Sequence, residues 1–193
     1  GFNAETYNKF LSNLSKKLGD NYKIISLDQR GHGLSSANAD PGKLSTWNSL
    51  VEDAKEFVQK FSSKELYFSG HSMGAIIALK LSTEFSEISK LFLIDPVLPG
   101  PKFSAYGRVK KFFRLNKTSH MVSAAKNRRF EFASKQEAFN HFKGRGAYKS
   151  WNDDILQDYL NGGMIVEEDK AYLSCHPHWE AEVFNTASLD TWK

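Results

Sequence analysis

The 193-residue chain has one cysteine, Cys175, so no disulfide can form within it. A lone thiol fits a reducing compartment, and a cytoplasmic location is the expectation. Long apolar runs are missing as well. The longest, such as Leu91-Phe92-Leu93-Ile94, fall far short of the roughly 20 residues that a membrane-crossing helix needs. There is no internal repeat and no low-complexity tract, which argues against a solenoid or a disordered tail. No signal peptide is visible, although the chain opens on Gly1 and a processed N-terminus would hide one. A second cluster of cysteine and histidine is lacking too. Cys175-His176-Pro177-His178 looks like part of a metal site, but zinc needs three or four ligands held at fixed geometry. No metal and no cofactor are expected.

What is present has the composition of a folded globular protein, with 40% apolar and 25% charged residues. The length suits one domain, or one domain with a sizeable insertion. The net charge of +4 is unevenly spread: residues 1–99 carry 11 basic and 11 acidic side chains, residues 100–193 carry 15 and 11. Between Lys102 and Arg129 stand nine basic residues and no acid. That block, interleaved with Tyr106, Phe112 and Phe113, is by default a solvated helical face. The alternative is a site for an anionic or interfacial ligand. No nucleic-acid-binding signature accompanies it, so nucleic acid is not an expected partner.

One stretch organises the rest. Leu66-Tyr67-Phe68-Ser69 reads as a buried strand, Ala75-Ile76-Ile77-Ala78-Leu79 as a helix, and between them lies Gly70-His71-Ser72-Met73-Gly74. A chain that turns from strand to helix within a few residues strains the serine, and a side chain at either flanking glycine is expected to collide with backbone. Such a turn holds the Ser72 hydroxyl clear of the sheet. It also sets the Met73 N–H at a helix N-terminus, where negative charge is stabilised. The alternative is a Gly-rich turn whose serine merely caps a helix.

Around it, Tyr7, Phe10, Leu11, Leu14 and Leu18 predict a helix over 4–18 between an Asn3 cap and a Gly19 stop. Tyr22–Leu27 and Lys90–Ile94 read as further strands, and Ser45 as the cap of a helix through Phe61. Strands alternating with amphipathic helices imply parallel βαβ units, hence an α/β fold. After Pro99-Gly100-Pro101 only helical segments are expected. Ser134-Lys135-Gln136-Glu137 forms a capping box, and Ser150-Trp151-Asn152-Asp153 fits its acidic form. The second opens a helix stopped by Gly162-Gly163, and Pro177 starts a last helix through Phe184. The predicted division is a partial core over 1–99 and a helical cap over 100–193.

Three of these pieces resemble the α/β-hydrolase superfamily, in its cap-bearing esterase/lipase-like branch. Gly70-His71-Ser72-Met73-Gly74 resembles its nucleophile elbow. Asp28-Gln29-Arg30-Gly31-His32-Gly33-Leu34-Ser35 is similar to its D-x-R-G-x-G-x-S turn, and Gly1-Phe2-Asn3 to the end of its H-G-F motif. The resemblance implies a parallel-sheet hydrolase core with Ser72 as nucleophile and the backbone N–H groups of Met73 and Phe2 as oxyanion hole. It also implies that the acid and the histidine follow later core strands, beyond Lys193, and that the chain is the middle of a hydrolase, inactive by itself. His32 and His71 belong to core motifs and are not expected to act as base. Asp95 lies where a minority of the family place their acid, though a carboxylate satisfied by the turn at Pro96 is the simpler reading. The expected activity is hydrolysis of a small-molecule ester bearing an apolar or aromatic group. The alternatives are thioester, lactone or C–C bond hydrolysis, or a non-catalytic receptor of the same fold.

Overall fold

The computed structural model describes residues 2–61, 65–98, 100 and 119–187. In chain order the elements are α1 (Asn8–Leu18), α2 (Asn48–Val58), β1 (Leu66–His71), α3 (Met73–Leu81), β2 (Ile88–Ile94), α4 (His120–Lys126), β3 (Glu131–Phe132), α5 (Lys135–Phe142), α6 (Asp153–Gly163), β4 (Met164–Val166), β5 (Ala171–Leu173) and α7 (Pro177–Asn185). Short 3-10 turns occupy Ala4–Tyr7, Pro41–Lys43 and Gly146–Tyr148. Contacts group the chain into two compact units, residues 1–40 with 124–180 and residues 41–123 with 181–193. No helix among the described residues is long and apolar enough to cross a membrane.

The unit of residues 41–123 and 181–193 holds the strand–helix–strand core. β1 and β2 pair in parallel, with Phe68 beside Leu91, Gly70 beside Leu93 and His71 beside Ile94. Helix α3 is small and aliphatic throughout, and Ala75, Ile76, Ile77, Ala78 and Leu81 are all buried. A helix apolar on every side belongs in an interior, here against both strands and α2. From α2 and the turn before it come Trp47, Leu50, Val51 and Ala54, and the Trp47 indole donates to the Val183 carbonyl at 2.9 Å. Ser45 does not cap α2. The helix starts three residues later at Asn48, with Trp47 at its cap position and no side-chain bond there.

In the unit of residues 1–40 and 124–180, Asn3 caps the first turn and Gly19, at φ 70°, ends α1, as the spacing predicts. The apolar stripe of α1 nevertheless stays largely open, with Phe10 58% exposed. The expected strand over Tyr22–Leu27 joins no ladder, because strand structure needs a neighbouring backbone and neither described sheet includes it. Ser134 accepts from the Glu137 N–H at 3.1 Å and caps α5, with the Glu137 carboxylate returning a bond to the Ala133 N–H. Ser150 does not cap α6; Asn152 holds that position instead. A small antiparallel sheet, in the order β3-β5-β4, interrupts the all-helical expectation for this region. Its strands are two or three residues long, too short to carry a period. Phe132, Phe142, Tyr148, Leu156, Tyr159, Leu160 and Leu173 form the core beside them.

In the turn over residues 28–35 one carbonyl meets two partners. The Arg30 carbonyl takes the Trp179 indole N–H at 3.0 Å and faces His32 Nδ1 at 3.1 Å. A carbonyl only accepts, so Nδ1 carries the proton, and the buried Nε2 has a lone pair but no partner. Burial pushes the His32 pKa down from 6.5 to about 4. Close by, Arg128 forms an ion pair with Glu180 at 2.8 Å and both side chains are largely buried. Burial works against charge on Glu180, but surrounding positive charge, Arg128 included, holds its carboxyl below the usual range.

A group whose folded pKa lies below its unfolded value loses stability as pH falls through that interval, because the unfolded chain binds the proton first. For His32 the window runs from 6.5 down to about 4. The difference in unfolding free energy between the full-length protein and its His32→Asn variant is expected to shift by about 3 kcal/mol in the variant's favour from pH 7 to pH 4. Urea titrations at the two pH values measure it, and a pH-independent difference contradicts the buried neutral imidazole.

Candidate active site

The junction of β1 and α3 carries the site. Ser72 has φ 54° and ψ −115°, a positive φ that side chains rarely adopt and that costs roughly 1–3 kcal/mol. Its N–H donates to the Ile94 carbonyl at 2.9 Å and its carbonyl accepts from the Ala75 N–H at 3.2 Å. Those two bonds pin the backbone on both sides while the hydroxyl meets no hydrogen-bond partner among the described residues. The glycines divide the work unequally. A Cβ on Gly70 would overlap the carbonyl of Gly74, so strand and helix can approach this closely only with glycine there. At Gly74 a Cβ would meet nothing within 4 Å, which corrects the expectation of a clash on both sides.

Met73 is the first residue of α3, so its N–H is among those that a helix leaves without an internal acceptor. It sits at the positive end of the helix dipole. Together, Ser72 and Met73 put a hydroxyl and an anion-stabilising donor at the C-terminal edge of a parallel pair of strands. That is where ligands bind in open α/β sheets. Next to them, directly after β2, Asp95 is exposed and also has a positive φ, 44°. Nothing in the sequence pattern signalled that strain.

Phe2 lies in the other unit, at the entry to the first turn. Its ring packs on Trp151 at 4.9 Å, Tyr159 at 6.0 Å and Tyr148 at 6.4 Å between centroids. The next residue, Asn3, is buried. Its Oδ1 accepts from the Thr6 N–H at 3.0 Å and the Thr6 hydroxyl at 3.1 Å, while its Nδ2 donates to the Tyr159 carbonyl at 2.8 Å. Asp28 then ties this segment to the 28–35 turn. Its Oδ1 accepts from the Ala4 N–H at 2.7 Å and its Oδ2 from the Leu34 N–H at 2.9 Å. The pattern marked Asp28 as the head of a turn motif and gave no sign of the bond to Ala4.

The remaining candidates fall into other roles. His71 ends β1 and is half-buried. His176 and His178 stack on one another at 5.4 Å, and the His178 N–H donates to His176 Nδ1, a local helix-start arrangement. Cys175 is buried and its thiol is pushed up by that burial. Of the basic block, Lys102 to Lys117 lie outside the described residues. Arg128 is committed to Glu180, and Arg129 pairs with Glu137 at 2.7 Å while covering the Phe132 ring.

Residues 3–143 match the model of a family described as serine aminopeptidase, S33. Among curated proteins, an N-formylmaleamate deformylase of Pseudomonas putida is 30% identical over 94 residues, 48% of this chain and 34% of that protein. The fold is similar to that of an E-2-(acetamidomethylene)succinate hydrolase, with a TM-score of 0.66 and 18% identity over 96% of this chain and 61% of the other. It is also similar to a thioesterase domain from the curacin biosynthetic pathway, with a TM-score of 0.68 and 17% identity over 93% and 62%. The chain thus spans about three fifths of these solved structures, and the aligned part about a third of the curated relative. The strained serine at the strand–helix turn stands inside the matched segment, and the chain belongs to the serine aminopeptidase S33 family of the α/β-hydrolase superfamily.

Proposed function

We propose that the protein is a serine hydrolase that cleaves a small carboxylic ester through an acyl-enzyme. The observation that carries this reading is the positive φ of Ser72 between β1 and α3, a strain that a mere helix cap would not need. Ser72 attacks the carbonyl carbon and its proton passes to a histidine oriented by a carboxylate. The oxyanion is held by the N–H groups of Met73 and Phe2. The alcohol leaves with the proton, and water then repeats the attack on the acyl-enzyme. In this reading residues 1–99 are the partial core and 100–193 the cap. An aromatic cap excludes water and supplies apolar contact area, which favours a substrate with an apolar or aromatic group.

The same machinery serves thioesters, lactones, amides and some C–C bonds, and the names of the relatives span a deformylase and a thioesterase. A receptor without turnover is the rival from another class. In the full-length protein a fluorophosphonate probe is expected to label Ser72. Ser72→Ala is expected to lower p-nitrophenyl ester turnover by about 10⁴- to 10⁶-fold. Near-normal turnover by that variant excludes Ser72, and labelling without turnover of ester, thioester or anilide favours the receptor.

The basic block between Lys102 and Arg129 is by default a solvated face; the alternative, that it guides an anionic or interfacial substrate, makes a prediction of its own. At physiological ionic strength charges are screened over about 8 Å, so KM for an anionic ester is expected to rise with salt while KM for a neutral ester stays flat. Equal salt responses in steady-state assays return the block to a solvated surface.

A further inference from the structure

We propose that Asp28 is a positioning residue for the oxyanion hole. It ties the Phe2–Ala4 segment to the 28–35 turn and thereby fixes the Phe2 N–H. The inference rests on the reading of that N–H as an oxyanion donor.

A helical turn leaves its first N–H groups without internal acceptors, and here they are claimed from two directions. The Asn3 side chain takes the Thr6 N–H, and Asp28 takes the Ala4 N–H at 2.7 Å, a short charge-assisted bond. The second Asp28 oxygen is held by the Leu34 N–H at 2.9 Å, so the carboxylate cannot swing away without breaking both bonds. A Cβ on Gly33 would overlap the Asp28 carboxylate, so glycine at that position leaves the space this geometry needs. On the other flank, Asn3 Nδ2 is bound to the Tyr159 carbonyl and the Phe2 ring lies against Trp151. The Phe2 Cα, from which its N–H extends, is therefore held by the ring on one side and through Asn3 and Asp28 on the other.

Position matters because an oxyanion donor acts only when it is already aimed at the developing charge. Losing one such donor lowers kcat on the order of 10² to 10³, and a displacement of about 1 Å can cost on the order of 10². The sign of the effect separates positioning from charge. A carboxylate near an oxyanion is electrostatically unfavourable, so removing its charge would help if charge were its only influence. Asp28→Asn removes the charge but turns an N–H₂ group toward one of two N–H donors. A positioning role therefore predicts a loss where electrostatics alone predicts a gain.

The test compares full-length wild type, Asp28→Asn and Gly162→Ala. In the last variant the new Cβ would overlap Glu5 and press on the same segment without touching Asp28. Both variants are expected to lower kcat for a p-nitrophenyl ester by roughly 10- to 100-fold while KM stays within about twofold. The Ki of a boronic acid, which needs the oxyanion hole, is expected to rise by the factor that kcat/KM falls. Amide exchange over residues 3–6 is expected to quicken in both. An unchanged or higher kcat in Asp28→Asn overturns the proposal, as does a loss confined to KM with unchanged Ki. If wild type and Ser72→Ala are equally silent, the hydrolase reading itself fails. Exchange then judges the tie alone, and unaltered exchange overturns it.

Discussion

The close approach of β1 to α3 at Gly70 is the constraint on which the geometry around Ser72 depends. The carbonyl of Gly74 occupies the space where a Cβ on Gly70 would sit. With the chain so tightly folded, Ser72 is forced to φ 54°, and its N–H and carbonyl are bound to Ile94 and Ala75 on either side. The buried aliphatic body of α3 supplies the packing that offsets this local strain. A hydroxyl at the sheet's C-terminal edge, with the Met73 N–H beside it, follows from that fold.

A similar logic governs the segment around Phe2. Side chains hold its backbone. Asn3 and Asp28 do so with five hydrogen bonds between them, and Gly33 leaves room for the Asp28 carboxylate. Gly162 and Gly163, which read in the sequence as a helix stop, also allow the end of α6 to approach Asn3 and Glu5 closely.

How much of this was legible in the sequence differs by the range of the interaction. The elbow, the Asn3 cap, the Gly19 stop and the start of the last helix at Pro177 are set by neighbours within a few residues, and the sequence pattern identified them. The Ser134 cap is of the same kind. By contrast, Ser45 and Ser150 match capping patterns, yet the turns before these helices place Trp47 and Asn152 at the cap positions. The strand over Tyr22–Leu27 had the right composition but pairs with no strand among the described residues. The bond from Ala4 to Asp28 joins residues 24 apart, and a periodicity argument cannot reach that far. The positive φ of Asp95 was invisible for a related reason, since side-chain identity does not announce backbone strain outside glycine.

The central claim is that the strained serine forms a covalent bond to the acyl group. Rapid acid quench of the full-length protein turning over a p-nitrophenyl ester, followed by peptide mass mapping, addresses it most directly. An acyl mass increment is expected on the peptide containing Ser72, and none after Ser72→Ala. An increment on any other residue, or turnover with no acylated peptide at any quench time, would contradict it.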